Sequence, residues 1–148
     1  MPATLAPRTR RIVQALLYEA IAIAVVGPVL ALAFDEPAGS SFVLALLMSS
    51  IALAWNYGFN AVFERWEQRR GIVGRPWRVR ALHGLGFEGG LALILVPVMA
   101  WWLDTTLWAA LLADLALLLF FLVYTVLFTW AFDRVFGLPE SARGGAAR

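Results

Sequence analysis

At 148 residues, 61% hydrophobic and 14% aromatic, the chain carries more apolar surface than a soluble domain of this length can bury, which excludes the ordinary soluble classes. Its twelve basic residues, all arginine, outnumber ten acidic ones, but they fall in three blocks: Arg8/Arg10/Arg11, Arg65 through Arg80, and Arg134 to the C-terminus. That placement follows membrane topology rather than a nucleic-acid patch, and with no cysteine neither a disulfide framework nor a thiolate metal site can form.

Four apolar runs follow one another, at about 12–34, 42–63, 81–103 and 107–132. Each supplies the ~20 residues a helix needs to cross the hydrocarbon core. The expected fold is therefore an all-α membrane protein of four transmembrane helices. Short acidic turns, Asp35-Glu36-Pro37 and Asp104-Thr105-Thr106, join the first to the second and the third to the fourth, whereas the middle connection, 67–79, is strongly basic. Positive-inside reasoning places that loop and both termini in the cytoplasm. Trp101, Trp102 and Trp108 then flank the outer turn, and Trp66 and Trp77 the inner loop, as an aromatic belt requires. A signal peptide is the rival reading of the first run, with Arg8–Arg11 as n-region and Ala31-Leu32-Ala33 as cleavage site. The run is too long for that, contains Glu19, and has an internal copy.

The copy lies 69 residues on. Arg11 falls on Arg80, Glu19 on Glu88, Pro28 on Pro97 and Asp35 on Asp104; Phe59 falls on Phe128, Phe63 on Phe132, Glu64 on Asp133 and Arg65 on Arg134. Residues 11–65 align without a gap at 12 identities in 55 positions, and the charged and proline matches are the ones that apolar composition does not supply. The chain is thus expected to hold an N-terminal tail (1–10), two repeats (11–66 and 80–135), the loop 67–79, and a C-terminal tail (136–148). Both repeats enter from the same side, so they form two parallel-repeat helical hairpins, an arrangement typical of transporters. The prolines, nine residues past each glutamate, are expected to kink the first helix of each hairpin.

Glu19 and Glu88 each lie eight residues beyond an arginine, ~12 Å into the bilayer at helical rise. A carboxylate there costs several kcal/mol, so it is expected to be functional. It would bind a proton or a cation but not both comfortably, which is the competition an exchanger needs. For Glu88 the HGLGFEGG context invites tight packing at Gly84, Gly86, Gly89 and Gly90, so a structural role competes there. Asp114, whose repeat mate is Ala45, is either a relay on the outer route or a partner for a neighbouring helix. His83, whose mate is Gln14, titrates near neutral pH, although a structural hydrogen bond is the leading reading. Asn56 and Asn60 share a helix face, beside an aromatic stripe of Trp55 and Phe59. Helix packing accounts for them, and a cavity for an amphipathic cation would use the same residues through cation–π contact and amide hydrogen bonds.

Four stretches in order, RIVQALLYE (11–19), WNYGFNAVFER (55–65), RALHGLGFEGG (80–90) and YTVLFTWAFD (124–133), resemble the proteobacterial antimicrobial compound efflux family, built from two bacterial transmembrane pair domains. The resemblance implies an inner-membrane exporter that exchanges cationic biocides for protons. Its implied substrates are chlorhexidine-like bisbiguanides, quaternary ammonium compounds and acriflavine-like dyes, with short diamines as natural ones. The family's essential first-helix glutamate matches Glu19, and its other motif residues match Asn60, Arg80, His83, Glu88 and Asp133; Tyr18 joins them within the first motif. The family usually has histidine where this chain has Gln14, which cannot titrate.

The expected mechanism is two-state antiport: deprotonated Glu19 takes a cation from the cytoplasm, and a proton from outside displaces it outward. No cofactor, metal or nucleic acid is expected; the partners are protons, cationic amphipathic molecules and the lipid bilayer. Four helices enclose little volume, which leaves a homodimer open. The alternative is a non-transporting membrane scaffold or subunit of a larger complex, which leaves the two matched glutamates unexplained, and a passive cation channel would conduct without proton coupling. Without a metal cluster, nucleophile–base pair or phosphate loop, an enzyme is not expected.

Overall fold

The structure is a computed structural model that describes residues 5–138. It consists of four helices, α1 (Pro7–Phe34), α2 (Ala38–Arg70), α3 (Trp77–Trp102) and α4 (Leu107–Phe136), and no strand occurs among the described residues. All four are long and apolar enough to cross a membrane. The four-helix expectation holds, and the protein is a multi-pass membrane protein. The helices outrun the apolar segments: α2 continues through Glu67, Arg69 and Arg70, so the middle connection shrinks to 71–76. Helical hydrogen bonding does not depend on hydrophobicity, so the ladder runs on into the polar interface.

The repeat reaches into the turns. Asp35 and Asp104, repeat mates, both adopt the left-handed conformation (φ 51° and 48°). The residue after each donates its N–H back to the helix, Glu36 N to Ala31 O and Thr105 N to Ala100 O, both at 3.0 Å. This is one helix-terminating motif used twice, at residues whose short polar side chain tolerates the left-handed region. The following helices restart alike, with Ser41 N bonded to Pro37 O and Ala110 N to Thr106 O, both 3.0 Å. Pro28 and Pro97 lie inside continuous helices.

The chain divides into two compact units that do not follow the hairpins. One unit joins α1 up to Val25 with α4 from Leu115 on; the other spans Val26 to Asp114, including α2 and α3. In the second unit, buried repeat mates line the core: Val26 and Leu95, Leu30 and Met99, Ser41 and Ala110. Small Gly27 lets the Phe42 ring sit against α1. Trp102 Nε1 donates to Ser40 Oγ (2.9 Å), which donates to Glu36 Oε1 (2.7 Å), tying the two turns.

Much of the large apolar surface is uncovered. Leu32, Leu85, Leu93, Val126 and Trp130 all lie more than half exposed. In water this would cost on the order of 25 cal/mol per Å²; against acyl chains it costs nothing, which is the energetic counterpart of the composition.

Candidate transport site

In the unit formed by α1 and α4, Tyr18 anchors an aromatic cluster. Its ring lies 4.8 Å from Tyr124, 5.3 Å from Phe128 and 6.3 Å from Phe121. The Tyr18 hydroxyl pairs with Thr125 Oγ1 at 2.8 Å, and the Tyr124 hydroxyl donates to the Tyr18 backbone oxygen at 2.8 Å. Glu19, next in the chain, is exposed and stands within electrostatic reach of Tyr124. The cluster continues along α4 as Phe128, Phe132 and Phe136, stepping every four residues with stacked or tilted rings.

At the end of that stack Arg10 lies with its guanidinium carbon 5.0 Å over the Phe132 ring. It pairs with Asp133 Oδ1 at 2.5 Å and donates to Gly137 O (3.1 Å) and Gln14 Oε1 (3.2 Å). Asp133 thus closes this end of the unit, and Gln14 serves as an acceptor in place of a titrating group.

In the unit that holds α2 and α3, Asn56, Asn60, His83 and Trp55 come together. Asn60 gives its amide hydrogens to Asn56 O (2.8 Å) and Oδ1 (2.6 Å). Its Oδ1 is then left to accept from His83 Nε2 at 2.7 Å, so Nε2 carries the proton. Phe59, Phe63 and Phe87 pack around the imidazole, with centroids at 5.2, 4.8 and 6.2 Å. Trp55 stacks on Phe59 at 5.4 Å and donates its indole N–H to Phe87 O at 3.0 Å. Glu88 follows Phe87 and is exposed, and Asp114 is half-buried and close enough for the two charges to interact. Arg80 donates from Nε to Arg75 O (3.1 Å).

Of the glycines expected to pack, Gly86 and Gly90 do and Gly84 and Gly89 do not. A Cβ at Gly86 would stand 3.2 Å from Phe59, and one at Gly90 would overlap the six-membered ring of Trp55, 2.8 Å from Cη2; Gly84 and Gly89 face open space. Gly86 and Gly90 are one helical turn apart on one face, the spacing that lets large rings approach a backbone in lipid. Because the indole is held by both a hydrogen bond and a stack, it has nowhere to yield. Gly90→Ala is expected to cost ~1–3 kcal/mol by overpacking, read as a lower thermal midpoint in detergent, whereas Gly84→Ala leaves it unchanged. Equal midpoints for the two variants would contradict this packing.

At the middle connection, Gly71 ends α2 in the left-handed conformation (φ 63°). The chain returns so that Arg75 (φ 33°) reaches Glu67, Nε lying 3.0 and 3.1 Å from Oε1 and Oε2. The hydrogen bond to Glu67 raises the Arg75 pKa above its ordinary value.

Among residues without a sequence signal of their own, Tyr124, Phe87 and Arg10 do the most. Tyr124 was accessible as the repeat mate of Trp55. Phe87 was accessible likewise as the repeat mate of Tyr18, whereas Arg10 carried no such mark, since it pairs across the length of the chain.

No group of His, Asp and Glu side chains suited to a metal ion occurs among the described residues. A family model described as BTP, chlorhexidine efflux transporter, matches twice, over residues 6–69 and 75–138, with the same 69-residue offset as the repeat. The chain is 36% identical over 126 residues to a short-chain diamines transporter of Acinetobacter baylyi, covering 85% of this chain and 89% of that one. Proteins of the same name from Vibrio parahaemolyticus (35% over 128 residues, 86% and 91% covered) and Acinetobacter baumannii (35% over 126 residues, 85% and 87% covered) are similar to it as well. No solved structure matches the chain.

Proposed function

The chain belongs to the chlorhexidine efflux transporter family, and on that premise we propose that it exports cationic amphipathic molecules in exchange for protons, with Glu19 as the shared proton and cation site. Short aliphatic diamines are the first substrates to try, because three similar proteins carry that name; bisbiguanides follow from the family description. The membrane is the bacterial inner membrane, with both chain ends on the cytoplasmic side, as the arginine blocks favour.

The observation that carries this reading is the setting of Glu19. A carboxylate in a membrane-spanning helix stands beside the Tyr18–Tyr124–Phe128 cluster. Ring faces attract an organic cation and exclude water, and the carboxylate supplies the opposite charge. When the cation leaves, the same carboxylate can take up a proton in its place. One group therefore exchanges one positive charge for another. The exposed position of both Glu19 and Glu88 suits carboxylates that meet a solute or a second copy in a homodimer. A scaffold would have no use for them.

The test is reconstitution in liposomes holding an acid-inside pH gradient and a pH dye. Adding a short diamine or chlorhexidine outside is expected to discharge the gradient faster than in protein-free liposomes. If no cation of either class moves protons above that background, antiport is wrong.

A further inference from the structure

Two side chains within the spans cross from one helix to the backbone of another, and they do so at corresponding places. Trp55 Nε1 on α2 donates to Phe87 O on α3 (3.0 Å), and the Tyr124 hydroxyl on α4 donates to Tyr18 O on α1 (2.8 Å). Trp55 and Tyr124 are repeat mates, and so are Tyr18 and Phe87. In each case the accepting oxygen belongs to the residue immediately before a membrane glutamate.

That location has a mechanical consequence. The oxygen of residue 18 and the nitrogen of Glu19 belong to one planar peptide group, as do those of residues 87 and 88. The helix already uses one lone pair of each oxygen, and the aromatic donor takes the second. Fixing the oxygen fixes the plane, and with it the nitrogen and Cα from which the carboxylate departs. We propose that Tyr124 and Trp55 are positioning residues for Glu19 and Glu88, each holding the peptide group that carries its glutamate from a helix of the other repeat.

The two braces are built to different dimensions. The indole of Trp55 lies over Gly90, where no Cβ fits; in the repeat alignment the mate of Gly90 is Ile21, and that of Trp55 is the smaller Tyr124. The larger donor thus goes with the smaller residue at that aligned position, and the smaller donor with the larger residue. The donors also differ chemically. An indole N–H only donates, whereas the Tyr124 oxygen, while donating to Tyr18 O, can still accept a hydrogen bond, including one from a protonated carboxyl. Tyr124 stands within electrostatic reach of Glu19.

The inference rests on the reading of the glutamates as coupling groups, so its test has one arm that needs no transport. Protein labelled with 15N-glutamate reports the Glu19 and Glu88 amides, whose shifts follow the hydrogen bonding of the peptide oxygen. Tyr124→Phe keeps the ring and removes the donor; it is expected to move the Glu19 resonance and leave that of Glu88, and Trp55→Phe to do the reverse. In liposomes Tyr124→Phe should slow exchange about fivefold, the scale of one hydrogen bond, and displace its pH profile. Tyr124→Trp with Ile21→Gly, which copies the other brace, should restore both. Resonances that do not move, or that move with rate and pH profile unchanged, overturn the proposal. Wild-type exchange by Glu19→Gln with the crossed shifts intact would instead sink the coupling role and leave the brace as packing.

Discussion

Glu19→Gln is expected to abolish diamine-driven proton movement, by about a hundredfold or more, the scale for losing a proton-transferring group. Glutamine has nearly the same size and keeps hydrogen-bonding capacity, so the Tyr18–Tyr124 contacts survive and the protein stays folded. It can neither hold a proton for exchange nor neutralise a cation. Two readouts should therefore fail together: binding of the cation, and the pH dependence of exchange. Glu88→Gln separates the halves of the repeat. Glu88 has an indole where Glu19 has a hydroxyl and lies near Asp114, so its loss is expected to slow exchange less. If Glu19→Gln matches wild type while Glu88→Gln abolishes exchange, coupling moves to the second repeat.

Asp133→Ala is expected to lose ~3 kcal/mol of stability, the scale of breaking a buried ion pair from one side. The Arg10 side chain is only 11% exposed and that of Asp133 24%. Truncation strands a guanidinium that holds one more carbonyl, one amide oxygen and the Phe132 face, with Nε already buried and unpaired. The partial exposure of Asp133 admits some water, which puts the loss at the low end of the range. Thermal unfolding in detergent, followed by helical signal, measures it. Arg10→Met combined with Asp133→Leu should recover most of the loss, because the pair's Coulomb gain is largely offset by desolvation. A single variant that melts with wild type would show the pair to be a surface contact.

The glutamate is legible in the sequence, because an acid in an apolar run is conspicuous and its copy 69 residues on doubles the signal. The Arg10–Asp133 pair is not: both residues sit near charged ends where many partners are open, and their separation of 123 residues leaves no local trace. The same division runs through the aromatic residues. Trp55 and Asn60 stood out by type and spacing, and His83 does meet Asn60. Their contacts with α3 could not be assigned, because an apolar lipid-facing helix has no single hydrophobic face to show which side meets protein.

By itself the sequence determined the four spans, the repeat and the place of both glutamates, since bilayer thickness sets helix length and charge is costly in lipid. It also held the twin turns at Asp35 and Asp104, which are local and need no partner. Only the tertiary structure decided which helices brace which. Gly86 and Gly90 admit rings while Gly84 and Gly89 do not, and Trp55 and Tyr124 reach a backbone oxygen in the other repeat. In lipid, helices gain nothing by burying leucine against leucine, so pairing rests on close fit and a few cross-helix hydrogen bonds, and those depend on positions that residue type alone does not reveal.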